Sequence, residues 1–507
     1  MHKNILLITA DHMRHDAIAC NADGAPSSAL ARVIRTPNLD RLAREGVTFR
    51  NSFTPNPICV PARATITTGN HPIKCTGVKD NGGRIYDDQA KLAEVFNGAG
   101  YATYSIGKLH YVPYSPPEEP RLLHGFQYCE LYESGRIIAH FDPNCEMEGL
   151  EDYHDYLKAV GWSGYSRAHA VGNNDIHPVA SPLPAEHHEE AWVASRSIAA
   201  LERHRQEKPS QPFLIWASFA KPHSPYDPPR PYDAMYDPRH IPEPLGGWDN
   251  EDALKGRDPE LIVRRRRYGW ERYSPQGVQL SRAHYAGMVS FQDAQIGRIM
   301  EWLDGSGLAD DTIVVYTSDH GDLLGDFGRF FKTCMYDGSV KVPFIWRAPG
   351  LVAGNDPHRR DQLVGLEDIL PTLCGLTGVN LGRDVDGVDL TPTLRDATTP
   401  SRQFYVSETG DSCQKAMVRT ADWKYLYCEV DGVEELYDAR EPDGELRNLA
   451  DDPAYVSVVS ELRETLIQWC KDNGDARLIP DGKLSVTRAD TLPPAEFSVN
   501  ILGWRRV

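Results

Sequence analysis

Three absences narrow the reading of this sequence. No apolar run approaches the roughly 18 residues that a membrane-spanning helix needs, so no segment is expected in a bilayer. The 54 lysines and arginines are outnumbered by 72 aspartates and glutamates, and the net charge of −18 argues against a broad basic surface for nucleic acid. Ten cysteines are present without a CxxC pair, which suggests neither a zinc module nor a disulfide framework. Most are expected to be buried free thiols. The opening MHKNILLITADH has one lysine and an apolar run that stops at Asp11, with no small-residue cleavage site after it. On that pattern the chain is expected to be cytoplasmic. Internal repeats are lacking too.

What is present is globular: 41% of residues are hydrophobic and 25% charged. At about 150 residues per domain, 507 residues imply two or three domains, or one large core with an appendage. An anionic substrate would need a local cluster of positive charge inside this acidic envelope.

Strands and helices alternate, which predicts an α/β core with a mostly parallel sheet sandwiched by helices. Strands are expected at NILLIT (residues 4–9), ATYSI (102–106), FLIWAS (213–218), TIVVYT (312–317) and residues 342–346. Helices are expected after Thr36-Pro37-Asn38, and at 91–97, 190–204, 283–303 and 366–374. Residues 384–404 mix Asp, Thr, Pro and Gly and read as a linker. Beyond it, strand-like segments at 403–408, 416–419 and 424–429 and a helix at 455–471 predict a smaller α+β domain. The expected division is 1–390 catalytic, 391–480 C-terminal α+β and 481–507 a tail. Residues 111–185 and 225–281 exceed a minimal core, and insertions of this length are usually functional or oligomeric.

Several short strings carry chemistry. Cys59-Val60-Pro61-Ala62-Arg63 places proline where a helix begins. A helix starting there would set Cys59 at its positive end with Arg63 one turn on, a geometry that suits a tetrahedral oxyanion. A buried cysteine beside a surface arginine fits the same five residues. Asp11-His12 follows the first strand, and Ser318-Asp319-His320-Gly321-Asp322 follows TIVVYT. Ligands of open α/β sheets bind beyond the carboxyl ends of strands, so the two Asp-His pairs could converge on one cation. Carboxylates suit calcium or magnesium, whereas imidazoles shift the preference toward manganese or zinc. Strand-terminal aspartates also serve simply as helix caps. Lys108 and His110 after ATYSI would share a face if the strand continued. They would then hold an anion and move a proton, or be a solvated lysine and a loop histidine. His223 after FLIWAS and Lys332 after GDLLGDFGRFF have the same two readings.

In this order, CVPAR with TTG after it, GYATYSIGKLH, the PH of AKPHSPY, TSDHGDLLG with Lys332, NILLITAD, TPNLDRLAREGVTF and ELYDAREPDGELRNLA resemble the type I sulfatases of the alkaline-phosphatase superfamily. The resemblance runs from about residue 3 to residue 450. It implies that Cys59 is oxidised by a maturase to formylglycine (3-oxoalanine), whose hydrate attacks sulfur and later expels sulfate. It implies one divalent metal, calcium first and manganese or magnesium as alternatives, held by Asp11, His12, residue 59, Asp319 and His320. Family members commonly have an aspartate where His12 stands, which lowers the ligand charge here by one. The resemblance assigns Arg63, Lys108 and Lys332 to sulfate oxygens, His223 and Lys332 to protonation of the leaving oxygen, and His110 to release of sulfate. Asp319 would accept the proton of the attacking hydroxyl. Ala62 departs from the frequent serine of the motif.

Phosphonate monoester or phosphodiester hydrolases on the same fold are the alternative enzymes, and a non-catalytic protein binding sulfated glycans is the alternative outside enzymes. A carbohydrate sulfate is the expected substrate, with a homo-oligomer as a further possibility. Lys74 and Asn81 are expected near substrate. Arg264 to Arg267 read as a solvated helix face that could attract a polyanion, and Tyr226, Tyr232 and Trp270 could stack on a sugar ring.

Overall fold

The computed structural model of the chain describes residues 3–23, 29–110, 118–142, 146–351, 358–441 and 444–489. Twelve strands form two sheets among these residues. They are β1 Asn4–Asp11, β2 Val47–Phe53, β3 Ala102–Gly107, β4 Tyr128–Leu131, β5 Phe213–Pro222, β6 Thr312–Ser318, β7 Phe344–Arg347, β8 Arg359–Gly365, β9 Tyr405–Thr409, β10 Lys415–Arg419, β11 Trp423–Cys428 and β12 Val433–Asp438.

The larger sheet runs β4-β3-β5-β1-β6-β7-β2-β8. All its pairings are parallel except those of β7, which is antiparallel to β6 and β2. β1 is buried on both faces, as parallel strands with helices on each side must be. Leu6 and Ile8 enter one core with Val193 and Leu201 of the Glu189–Glu207 helix and Val289 and Ile296 of the Pro275–Gly305 helix. Ile5 and Leu7 enter a second core with Ala64 and Ile66 of the Cys59–Thr68 helix and Leu370 and Leu373 of the Ile369–Thr377 helix.

The smaller sheet, β12-β11-β10-β9, is antiparallel and packs beneath the Val456–Asn473 helix through Leu436, Leu462 and Leu466. No described helix is long and apolar enough to cross a membrane.

Several expectations change. The helix expected at 283–303 begins at Pro275, where Ser274 accepts from the Gly277 N–H as a cap. The stretch read as a linker is packed: it holds a helix at Thr391–Arg395, and the buried Arg360 donates to the carbonyls of Thr393 (2.7 Å) and Leu394 (2.9 Å). The arginine run is not a uniformly solvated face. Arg264 pairs with Glu260 at 2.8 Å, and Arg265 pairs with Asp249 at 2.8 Å and lies over the Trp248 ring. Tyr226 is fully buried and Trp270 nearly so, which makes neither an open sugar platform. Of the expected tail, residues 490–507 lie outside the described residues, whereas Thr487 bridges Val430.

Candidate active site

The four central strands β3, β5, β1 and β6 are parallel neighbours, so their carboxyl ends lie side by side. Those ends deliver Lys108 and His110, His223, Asp11 and His12, and Asp319 and His320 to one edge, as expected of an open α/β sheet. Register pins the arrangement: Ala10 pairs with Ser318, Asp11 with Pro222, and Gly107 with Ser218. Gly107 sits at φ 101°, and a Cβ there would stand 2.0 Å from the Ser218 carbonyl oxygen. Only glycine fits this crossing.

The Cys59–Thr68 helix brings the motif to the same point. Ile58 is extended before it, and the helix ends at Gly69 in the left-handed region (φ 73°). Cys59 and Arg63 are both buried, which removes the reading of Arg63 as a surface residue. Cys59 Sγ lies 3.3 Å from His320 Nε2 and 3.8 Å from Asp11 Oδ1, and Lys332 Nζ donates to it at 2.9 Å. Arg63 Nε donates to Asp319 Oδ2 (2.9 Å), and its Nη1 donates to the Lys108 carbonyl (3.0 Å) and to Ser218 Oγ (2.9 Å). Lys108 Nζ is ion-paired with Asp11 Oδ2.

These charges set the protonation states. Burial would raise the Cys59 thiol, but Lys108, Lys332 and His320 outweigh it and hold the group well below the usual thiol range. Burial and Cys59 push Asp11 up, yet Lys108, His223 and Lys332 keep its carboxyl well below the ordinary value. Asp319 goes the other way: burial and the nearby Asp11 raise it despite Arg63. Burial and then Lys108 push His110 down to about 3, leaving a neutral imidazole at neutral pH.

Asp11, His12, Cys59 and His320 each bring one ligand atom into a set within 4.8 Å of one another, all buried. His12 Nδ1 donates to Asp322 Oδ2 at 3.0 Å, and His320 Nδ1 donates to the Gly321 carbonyl at 2.9 Å. Both rings therefore turn Nε2 lone pairs toward the cluster, the tautomer that metal ligation requires. His12 Nε2 already receives Lys332 Nζ at 2.6 Å. The donor set thus fits a divalent cation. Asp319 adjoins it, with Oδ1 at 3.6 Å from His320 Nε2.

Lys74 and Asn81 already have protein partners. Lys74 pairs with Asp386 at 2.5 Å, and Asn81 Oδ1 accepts the Val60 N–H at 3.2 Å, satisfying a donor at the start of the Cys59–Thr68 helix. His223 stands beside His12 at the end of β5, with both ring nitrogens engaged. Its Nδ1 donates to the Ser224 carbonyl at 2.7 Å, and its Nε2 accepts from Arg136 Nη2 at 3.1 Å. Burial, then His12, holds the ring well below the usual imidazole range.

Four contributors escaped the sequence reading. Asp322 accepts from His12, from the Tyr226 hydroxyl (2.9 Å), and from the N–H groups of Leu324 (2.8 Å) and Phe331 (2.6 Å). It stands in the SDHGD string, and a second carboxylate there was the available signal. Glu133 Oε1 accepts the N–H groups of Leu109 and His110 and shapes the Lys108–His110 loop. Ser218 anchors Arg63, and Arg136 anchors His223. None of these last three carries a local motif, because each acts through a contact made by the fold.

The Lys332 loop is pinned from outside. Phe331 and Thr333 flank it at φ 69° and 70°, an unusual conformation for residues with side chains. Arg329 Nη2 donates to the Lys332 carbonyl and Thr333 Oγ1, both at 2.6 Å, and Lys415 of β10 donates to the Thr333 carbonyl at 3.3 Å.

A sulfatase family model matches residues 3–379, and a model for the C-terminal part of N-sulphoglucosamine sulphohydrolase matches residues 325–472. The chain is 32% identical over 487 residues to an arylsulfatase of Clostridium perfringens, covering 92% of this chain and 94% of that one. It is 29% identical to a choline-sulfatase of Rhizobium meliloti, covering 89% and 83%. Among solved structures, a phosphonate monoester hydrolase from Silicibacter pomeroyi superposes with a TM-score of 0.77 at 25% identity, covering 93% and 96%.

Proposed function

The chain belongs to the sulfatase family and is a hydrolase of sulfate esters, and from that premise we propose that it acts on a carbohydrate sulfate through formylglycine at position 59. The observation that carries this reading is the seat of Cys59, which meets Lys332, His320 and Asp11 at the N-terminus of a buried helix. The match of residues 325–472 to a model named for a sugar sulphohydrolase supports a carbohydrate leaving group.

Asp11, His12, residue 59 and His320, with Asp319 beside them, would hold the divalent cation. When bound, it would polarise sulfate oxygens and acidify a nearby hydroxyl. The aldehyde hydrate at position 59 would offer one hydroxyl to sulfur and a second whose deprotonation releases sulfate. Asp319, with its raised proton affinity, would take the proton of the attacking hydroxyl. Lys108 and Lys332 would bind sulfate oxygens, and Lys332 would deliver the proton to the departing oxygen. Arg63 would act mainly by orienting Asp319. His110, kept neutral, would accept the proton of the second hydroxyl.

The test has two arms. The mass of the tryptic peptide bearing residue 59, from a maturase-competent host, is expected to report formylglycine. Turnover of sulfated monosaccharides is expected to exceed that of phenyl sulfate and of a phenyl phosphonate ester. An unmodified cysteine in active enzyme would overturn the nucleophile. Faster phosphonate cleavage would move the substrate to the class of the Silicibacter pomeroyi enzyme.

A further inference from the structure

We propose that Phe331 sets substrate specificity: its ring is the wall on which the alcohol part of the ester rests, so the site selects ring alcohols, a pyranose first, over acyclic ones. The inference rests on the carbohydrate-sulfate reading of the site. Lys332 Nζ reaches Cys59 Sγ at 2.9 Å and His12 Nε2 at 2.6 Å, so the residue just before it stands at the rim of the reacting centre. The Phe331 ring lies 6.1 Å from the ring of His12, edge to face.

The way out of the centre passes this ring. Asp11, His12, Cys59, Arg63, Asp319 and His320 are each at most 1% exposed. Of the residues assigned to the reaction only His110 and Lys332 are part-exposed, and Phe331 joins them. With sulfate held against position 59 and Lys332, the alcohol extends toward these three residues.

The ring is placed there against the preference of its backbone. Phe331 has φ 69°, a conformation that glycine takes freely and a bulky side chain rarely adopts. Its N–H donates to Asp322 Oδ1 at 2.6 Å, which holds the turn. The ring packs T-shaped against Trp270 (5.5 Å) and Tyr268 (6.3 Å), and those two are stacked on each other at 4.8 Å and 13°. Trp270 is buried, so it backs the ring and does not itself receive substrate. Through this contact the long insertion at 225–281 bears on the reacting centre. Strained residues persist where their surroundings over-determine them, and they cluster at ligand clamps.

A pyranose carries C–H groups on one face. An aromatic ring takes that face through dispersion and through its electron-rich π surface. An acyclic alcohol offers no such face and loses more rotational freedom on binding. The sulfate end meets lysines and the metal-ligand cluster, so Phe331 acts on the alcohol and leaves affinity for the anion alone.

The test measures kcat and KM for the wild type, F331G and F331L on three esters: the sulfated monosaccharide that the wild type turns over fastest, phenyl sulfate and glycerol 1-sulfate. Competitive inhibition by inorganic sulfate is measured beside them. F331G relieves the backbone and removes the ring. F331L keeps bulk without a flat face, and it gives the same readout if F331G does not fold. In F331G kcat/KM on the sugar sulfate is expected to fall about 10–200-fold, chiefly through KM, the range that apolar contacts contribute to discrimination. Turnover of glycerol 1-sulfate should change little, and inhibition by inorganic sulfate should not change. Sulfate inhibition that weakens in step with the rise in KM would show that Phe331 only holds Lys332 in place, and equal losses on the sugar and glycerol esters would also overturn the wall. A wild type active on phenyl sulfate but on no sulfated sugar would remove the carbohydrate reading instead, and the ratio of phenyl to glycerol ester turnover would then decide the role of Phe331.

Discussion

Arg63 and Asp319 are 256 residues apart in the chain and 2.9 Å apart in the fold, with both side chains fully buried. This pair joins the Cys59–Thr68 helix to the loop after β6. It gives the motif arginine a structural duty in addition to any contact with sulfate.

Replacing Arg63 by methionine should leave Asp319 as an uncompensated buried charge. Breaking such a pair from one side costs about 3–5 kcal/mol. The R63M/D319N double variant should recover part of that loss, because both charges are gone. Thermal or denaturant unfolding of the wild type, R63M, D319N and the double variant measures the coupling, and strictly additive losses would show that the pair does not interact.

Gly107→Ala should destabilise the protein and displace Lys108. The residue is left-handed, and a Cβ would strike the Ser218 carbonyl. The backbone conformation alone costs about 1–3 kcal/mol for a side-chain-bearing residue. A lowered Tm together with lost activity is the expected result; an unchanged Tm would contradict the packing of β3 on β5.

Asp322→Asn should weaken divalent metal binding about 10–100-fold, the usual effect of altering a residue that orients a ligating histidine. Asp322 holds the Nδ1 hydrogen of His12 and so directs the ring's lone pair. Calorimetric titration with manganese and with calcium reads the affinity directly. Wild-type affinity for both ions would remove Asp322 from this role.

Glu408 on β9 packs 2.9 Å from Lys79 and is fully buried with Asp475. Burial raises its carboxyl to about 7 from 4.5, with Asp475 adding to the rise and Lys79 opposing it. The folded state thus holds the proton more tightly than the unfolded state. The linked stability is complete below about pH 4.5 and is lost as pH climbs through about 7. Glu408→Gln cannot ionise, so its Tm relative to wild type should improve between pH 5 and pH 8. A difference independent of pH would show that Glu408 does not titrate in this window.

Local patterning made much of the molecule legible. The apolar runs of β1, β3, β5 and β6, the proline-led start of the Pro37–Glu45 helix, and the CVPAR string fall where their own residues indicate. β2, β4, β8 and β12 escaped notice. β2, VTFRNSF, mixes charged and amide side chains with aromatics, and β8 opens RRDQ; each gains its place by pairing with distant neighbours.

Sequence alone determined which reactive groups the chain owns and that they follow strands, because strand identity and motif spacing are local properties. Only the tertiary structure decided their relations. Strand order placed four strand ends side by side, burial turned Arg63 toward Asp319, and a carbonyl at Ser224 chose the tautomer of His223. These are contacts between residues far apart in the chain or settled by packing. Charge interactions and desolvation depend on distance through space, a quantity that residue order does not contain.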